Sequence, residues 1–221
     1  MDRCTPNTVQ LHSIALKTIA LNTIGLNTIW IGPVRPPFVG PKQGDATLVP
    51  DLDEPIHLSD YNSSWPELYL GEMHRIARAL PPRVYFEHIG STSVPGMLAK
   101  PIVDIMIGVA TGQVERIRVK VGALGYEDMG EAGVTGRIYL RRRLRSGSLI
   151  VGFNVALVER GGVIWTSNLA LRDHLRANPE AAREYTEVKR AAVESGATSL
   201  SLYSEYKRKC VNRLMDQAMR K

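Results

Sequence analysis

The sequence predicts an α+β domain, α/β-like in element order, with helices packed on a mixed sheet and a helical C-terminal region. Three observations predict it. The largely apolar run IVDIMIGV at 102–109 has the composition of a strand covered on both faces. Two more strand-like runs, 137–144 and 149–158, meet at Ser146-Gly147 as a hairpin. Apolar residues at helical spacing precede and follow these runs.

Taken in order, the first 45 of the 221 residues stand apart. SIALK, TIALN, TIGLN and TIWIG form a five-residue repeat with Ile14, Ile19, Ile24 and Ile29 in register. Four such copies are marginal for a self-stabilising solenoid. Pro33, Pro36, Pro37, Gly40, Pro41 and Gly44 then read as a linker. Residues 1–45 are therefore expected to be a non-catalytic extension, and 46–221 the domain proper. Ser64-Trp65-Pro66-Glu67 predicts a helix start with a capping box, and Tyr69, Met73, Ile76, Ala77 and Leu80 continue it until Pro81-Pro82. Residues 83–89 read as a strand. After 102–109, Val114, Ile117, Val121 and Leu124 share a helical face that Gly125 ends. Pro179 opens one late helix, and 200–219 form another.

Composition narrows the function. Hydrophobic residues at 44% and charged residues at 23% exclude wholesale disorder. No apolar stretch is long enough for a membrane helix, so no membrane partner is expected. With 28 basic and 22 acidic residues, the net charge of +6 favours phosphate-bearing partners. The two cysteines, Cys4 and Cys210, lack metal-ligand spacing, which fits a reducing, cytoplasmic location. No Walker loop, zinc-finger spacing or aromatic ladder is present, so nucleic acid is not the expected partner.

The segment EHIGSTSVPGMLAKPIVDIMIG at 87–108 carries the chemistry. Gly90 permits close backbone approach, and Ser91, Thr92 and Ser93 offer hydroxyls around an anion. Lys100 can neutralise a phosphate, and Asp104, a carboxylate among apolar neighbours, can hold a divalent cation.

This run resembles the signature of the GrpB family (UPF0157-like), within the nucleotidyltransferase-like superfamily. The resemblance extends to Tyr61–Leu68, to Gly136-Arg137 with Tyr139, to Leu171–Arg176, and to Tyr185 with Lys189 and Tyr203 with Lys207. It implies a nucleotidyltransferase-like mixed sheet packed by helices. It also implies a phosphate loop at Gly90 and Ser91, a metal-binding Asp104, and Mg2+ as cofactor. Two departures stand out. Met106 occupies the position where active members of the superfamily carry a second carboxylate, and Ala156 replaces a histidine of the family pattern that follows Asn154. The nearest replacements are Glu87, His88 and His174. His88 alternates with Ile89 and is a candidate for facing the site, or for a satisfied place in the core.

The run Arg137, Arg141, Arg142, Arg143 and Arg145 reads either as an anion-binding wall or as a charged, aggregation-resistant edge. Arg137, Tyr139, Arg141 and Arg143 share one strand face, and Arg142 takes the other. Arg172 and Arg176, one helical turn apart, can reach the same cleft. The expected catalytic set is Asp104, Ser91, His88 and Glu87. The expected ligand-binding set adds Gly90, Thr92, Ser93, Lys100, Arg137, Tyr139, Arg141, Asn154, Arg172, Arg176, Lys189, Tyr203 and Lys207.

The first expectation is an enzyme that binds a nucleoside triphosphate with magnesium and transfers a nucleotidyl group to, or activates, a small acceptor. A binding module for an anionic small ligand or partner is the second. A fold repurposed for nucleotide-independent acyl or amide chemistry is the third. A homodimer is the oligomeric state considered.

Overall fold

Alternation within the apolar run Ile102–Val109 divides the domain into two layers. Val103, Ile105, Ile107 and Val109 are buried on one side, and Asp104 and Met106 point to the other. A computed structural model describes residues 47–48, 56–146, 149–196 and 200–220. The five-residue repeat, the Pro/Gly linker and the tip of the hairpin at Gly147 lie outside the described residues.

In chain order the elements are β1 (Thr47–Leu48), α1 (Trp65–Ala77), β2 (Tyr85–Ile89), β3 (Ile102–Val109), α2 (Val114–Gly122), β4 (Glu127–Asp128), β5 (Ile138–Ser146), β6 (Leu149–Glu159), α3 (Val163–Ala177), α4 (Pro179–Glu194) and α5 (Leu200–Met219). Five strands follow the order β1-β5-β6-β3-β2, and β4 pairs with β5 off that path. Among the described strands only β3 and β6 run parallel, so the sheet is mixed and the protein is α+β. Antiparallel β5 and β6 pair from Ile138 with Leu157 to Ser146 with Leu149, the register of the expected hairpin.

One face of the sheet is covered by α1 and α2. Trp65 and Ile76 of α1, Ile117 and Val121 of α2, and Leu140, Phe153, Val155 and Leu157 of the sheet form this core. Truncating a fully buried member such as Ile105 to alanine costs about 2–5 kcal/mol, because a cavity adds to the lost transfer energy. The opposite face is partly covered by α3. Trp165 packs with Ile89, Met106 and Val158 there. Its ring lies over Gly108, where an added Cβ would overlap the indole. Helices α4 and α5 pack on α3 and on each other, burying Leu175, Tyr185, Cys210 and Leu214 beside Val94 and Met97.

Local details differ from expectation. Ser64 occupies the N-cap position of α1 but its side chain caps nothing, because its backbone is already helical; its own N–H instead donates to Asn62 Oδ1 at 2.9 Å. The helix ends at Ala77, short of Leu80. Strand β2 starts at Tyr85, since Arg83 turns the chain with a φ of 67°. The second helix stops at Gly122, and Gly125 follows with a φ of 83°.

An ionic cluster joins the layers on the α1 side. Glu72 is only 6% exposed. It accepts from Arg75 Nη2 at 2.6 Å and Nε at 2.9 Å, from the Tyr126 hydroxyl at 2.7 Å and from Arg142 Nη1 at 3.2 Å. Arg142 thus occupies the face its position in the strand predicts. No helix of the described residues is long and apolar enough to cross a membrane.

Candidate functional site

The register of three strands builds the site. Asp104 on β3 lies beside Asn154 on parallel β6, and Asn154 lies across from Arg141 on β5. Arg143 lies across from Gly152, where an added Cβ would crowd both Ile102 and the arginine side chain. Glycine at 152 therefore leaves room for a buried arginine. A chain of hydrogen bonds results. Arg143 Nη1 donates to Asn154 Oδ1 at 3.1 Å, and Asn154 Nδ2 donates to Asp104 Oδ1 at 2.8 Å.

The turn after β2 closes against the same carboxylate. Gly90 has a φ of 70° and a ψ of −175°, a region that side chains rarely adopt. An added Cβ would overlap Asp104 Oδ2. The following turn is a single 3-10 turn, Ser91–Ser93, held by Ser93 Oγ donating to Gly90 O at 2.6 Å. Lys189, reaching up from α4 and only 1% exposed, donates to Ser91 Oγ at 3.2 Å and to Leu98 O. The face of Tyr185 lies 4.7 Å from its ammonium.

These groups open on a cavity of about 580 Å³. Gly90, Ser91, Thr92, Lys100 and Asp104 line one side, and Arg137, Tyr139, Arg143 and Asn154 another. Arg172, Tyr185, Lys189, Tyr203 and Lys207 come from the helices. Arg137 lies 5.0 Å from the Tyr139 ring centroid. Its Nη2 donates to the Glu131 and Ala132 carbonyls, and its buried Nε has no hydrogen-bond partner among the described residues. Lys207 and Lys100 both approach Tyr203, at 4.3 Å and 5.5 Å from its centroid.

Five expected residues lie elsewhere. His88 faces the α1 side, across from Ile105; it stacks on Tyr69 at 4.7 Å and meets Thr92 Oγ1 at 3.0 Å. Burial and the charges of Arg176 and Arg172 push its pKa down to about 4, so it is neutral near pH 7. Glu87 is tied to Arg172 Nη1 at 2.6 Å, and Arg141 to Glu127 at 2.8 Å. Arg176 donates to the Ser93 carbonyl at 2.8 Å and 3.0 Å, bracing the turn from behind. Ser93 itself is buried in that turn. Four polar lining residues were outside the expected set: Arg143, Asn168, Tyr185 and Ser204. Arg143 was signalled by its alternation with Arg137 and Tyr139, whereas Asn168 on α3 carries no sequence signal.

The electrostatics are lopsided. Asp104 keeps some surface toward the cavity, yet burial raises its pKa against the pull of the Asn154 hydrogen bond and of Lys100, Lys207 and Arg143. Burial lowers Lys189 to about 7, aided by the charge of Lys207. Burial also lowers Lys207 to about 8, aided by Lys100. Among the described residues, one carboxylate, Asp104, thus lines the cavity with six cationic side chains: Lys100, Arg137, Arg143, Arg172, Lys189 and Lys207.

A resident divalent ion finds a poor donor set. Magnesium favours near-octahedral oxygen coordination. No group of three His, Cys, Asp or Glu side chains suited to a metal occurs among the described residues. Met106, two residues beyond Asp104, is sealed beside Trp165, and Ala156 supplies no ligand.

The fold and cavity define a class: α+β proteins in which a Gly-Ser turn and a carboxylate-bearing strand frame a cationic pocket. Residues 55–217 match the family model described as GrpB protein. The chain belongs to the GrpB family. It is 39% identical over 175 residues to a UPF0157 protein of Streptomyces coelicolor, covering 76% of this chain and 89% of that one. It is 32% identical to the UPF0157 protein YqkA of Bacillus subtilis, covering 72% of this chain and 46% of that one. A crystal structure of the conserved protein GrpB from Enterococcus faecalis superposes with a TM-score of 0.64 at 29% identity, covering 74% of this chain and 98% of that one.

Proposed function

We propose that the cavity binds a nucleoside triphosphate, or a similarly phosphorylated small molecule, and supports transfer of its nucleotidyl group to a small acceptor. One observation carries this reading: Lys100, Arg137, Arg143, Arg172, Lys189 and Lys207 line one cleft together with Ser91 and a single carboxylate, Asp104. Cations of this density are costly to hold together unless an anion joins them. Arginine and lysine are the side chains suited to phosphate oxygens.

In the proposed reaction the acceptor oxygen attacks the α-phosphorus. The new O–P bond forms as the bond to the leaving pyrophosphate breaks, and the acceptor proton passes to Asp104. Burial makes Asp104 a better base than an ordinary aspartate. Lys100, Lys207 and Arg137 stabilise the charge on the departing phosphates.

A second reading, a binding module without turnover, is favoured by the sealed Met106. Calorimetry with ATP, GTP, CTP and UTP tests the binding step common to both. Heat with at least one nucleotide is expected, and none with any of the four rules out a nucleotide as the ligand in either reading. Asp104→Asn separates them, because loss of turnover at unchanged nucleotide affinity identifies the enzyme.

A further inference from the structure

Two ammonium groups occupy the flank of Asp104 where a cation-dependent phosphate site needs oxygen ligands. Lys207 and Lys100 lie 4.3 Å and 5.5 Å from the Tyr203 centroid, and both charges act on the Asp104 carboxylate. The oxygen donors around that carboxylate are already committed. Asp104 Oδ1 accepts from Asn154 Nδ2, and Asn154 Oδ1 accepts from Arg143. The amide therefore presents N–H, and not oxygen, to the aspartate. Asp104 Oδ2 is packed against Gly90. Ser91 Oγ accepts from the Lys189 ammonium.

A divalent ion bridging Asp104 to a phosphate would enter this set against the repulsion of nearby lysines, in a space where charges are weakly screened. Among the described residues no second carboxylate lines the cavity to offset that repulsion, and β3 turns Met106 and Gly108 under the Trp165 indole.

We propose that the cleft takes the polyphosphate chain of its ligand in metal-free form, with the ammonium groups of Lys100 and Lys207 neutralising the oxygens that a divalent ion would otherwise bridge. This rests on the reading of the cavity as a phosphate site and adds the ionic form of its ligand. The ligand class is a free triphosphate or a comparable polyanion, and magnesium acts as a competitor by sequestering it.

The test uses inorganic tripolyphosphate as probe and the full chain as protein, by calorimetry in EDTA and again in excess magnesium. Binding in EDTA is expected, weakened about tenfold or more when magnesium is added. Binding that appears only with magnesium overturns the metal-free site while leaving the phosphate site in place. Absence of binding under both conditions overturns both.

Two variants sharpen the outcome. Asp104→Asn removes the one negative charge facing the phosphates, so tripolyphosphate affinity in EDTA is expected to hold or rise, whereas a metal-bridging carboxylate would lose it. Lys207→Met is expected to weaken binding in EDTA about tenfold. Unchanged affinity in that variant, with a normal melting transition, counts against the assignment. The wild-type comparison stands whether or not the variants fold.

Discussion

Gly90 and Asp104 are in contact across the site. The Cα of Gly90 fills the space beside the carboxylate so completely that a methyl group there would overlap Asp104 Oδ2. The contact joins the turn after β2 to the centre of the sheet, and it fixes where the loop amides and Ser91 lie relative to the carboxylate.

Gly90→Ala is therefore expected to destabilise by about 1–3 kcal/mol from the backbone alone, with an added steric cost. Urea denaturation measures the total. In an Asp104→Ala background the steric part should vanish and the backbone part remain, so the two substitutions should be non-additive. Strict additivity would show that the contact carries no energy.

Lys189 is expected to make stability and polyanion affinity depend on pH in opposite directions. Its folded pKa is about 7, against an ordinary 10.5. Between those values the unfolded chain binds more protons, so raising the pH through this window stabilises the fold, by up to about 1.4 kcal/mol per pH unit for one proton. Below about 7 the lysine is charged in both states and contributes no further slope. A polyanion prefers the charged lysine, so its affinity falls as pH rises through the same window. Lys189→Met should flatten both slopes. Denaturant midpoints and calorimetry at a series of pH values read them.

Glu72 should behave as a structural staple and not as a ligand group. Burial works to raise its pKa, but the hydrogen bond and charge of Arg75, the Tyr126 hydroxyl and the charge of Arg142 more than offset this, leaving it below the usual carboxylate range. The stability it contributes is present above the ordinary glutamate pKa and is lost as pH falls through the lowered folded value. Glu72→Ala strands two arginines and is expected to cost about 3–5 kcal/mol at neutral pH. Equilibrium unfolding tests this, and tripolyphosphate affinity of the surviving folded fraction should not change.

Arg137 should act on the ligand far more than on the fold. Its fixed side-chain contacts include two loop carbonyls and the Tyr139 face, and one of its buried donors lacks an acceptor among the described residues. Arg137→Ala is expected to weaken nucleotide binding about tenfold to a hundredfold, with a small change in melting temperature. Arg137→Lys should restore charge without the planar fork and recover only part of the loss. A variant that melts much earlier, with unaltered affinity, would assign the residue to the fold instead.

Much of the architecture was legible because the signals were local. The apolar run of β3 has the bounds its composition predicts, and α5 spans 200–219 as its periodicity indicates. The Gly-Ser turn and Asp104 drew notice because a lone carboxylate among apolar neighbours is costly to bury, and the resemblance to the GrpB signature singled out the same run. What was not legible depends on partners distant in sequence. Glu72 looks like any exposed helical acid until Tyr126 and Arg142 are brought to it. Lys189 resembles a solvated helical lysine, yet α4 carries it under the turn at Ser91. His88 follows the strand alternation, and only the pairing of Ile89 with Asp104 shows that its side chain turns away from the cleft.

Trp165 bears on how this lineage can change. Its indole fills the volume above Gly108 and packs beside Met106. An aspartate introduced at 106 alone would be lodged in hydrocarbon, and a smaller residue at 165 alone would leave a void. Gaining a carboxylate pair along this strand requires coordinated substitutions on β3 and α3, each deleterious by itself. The packing therefore works as an evolutionary ratchet, in which no single substitution along this strand introduces a second carboxylate without cost.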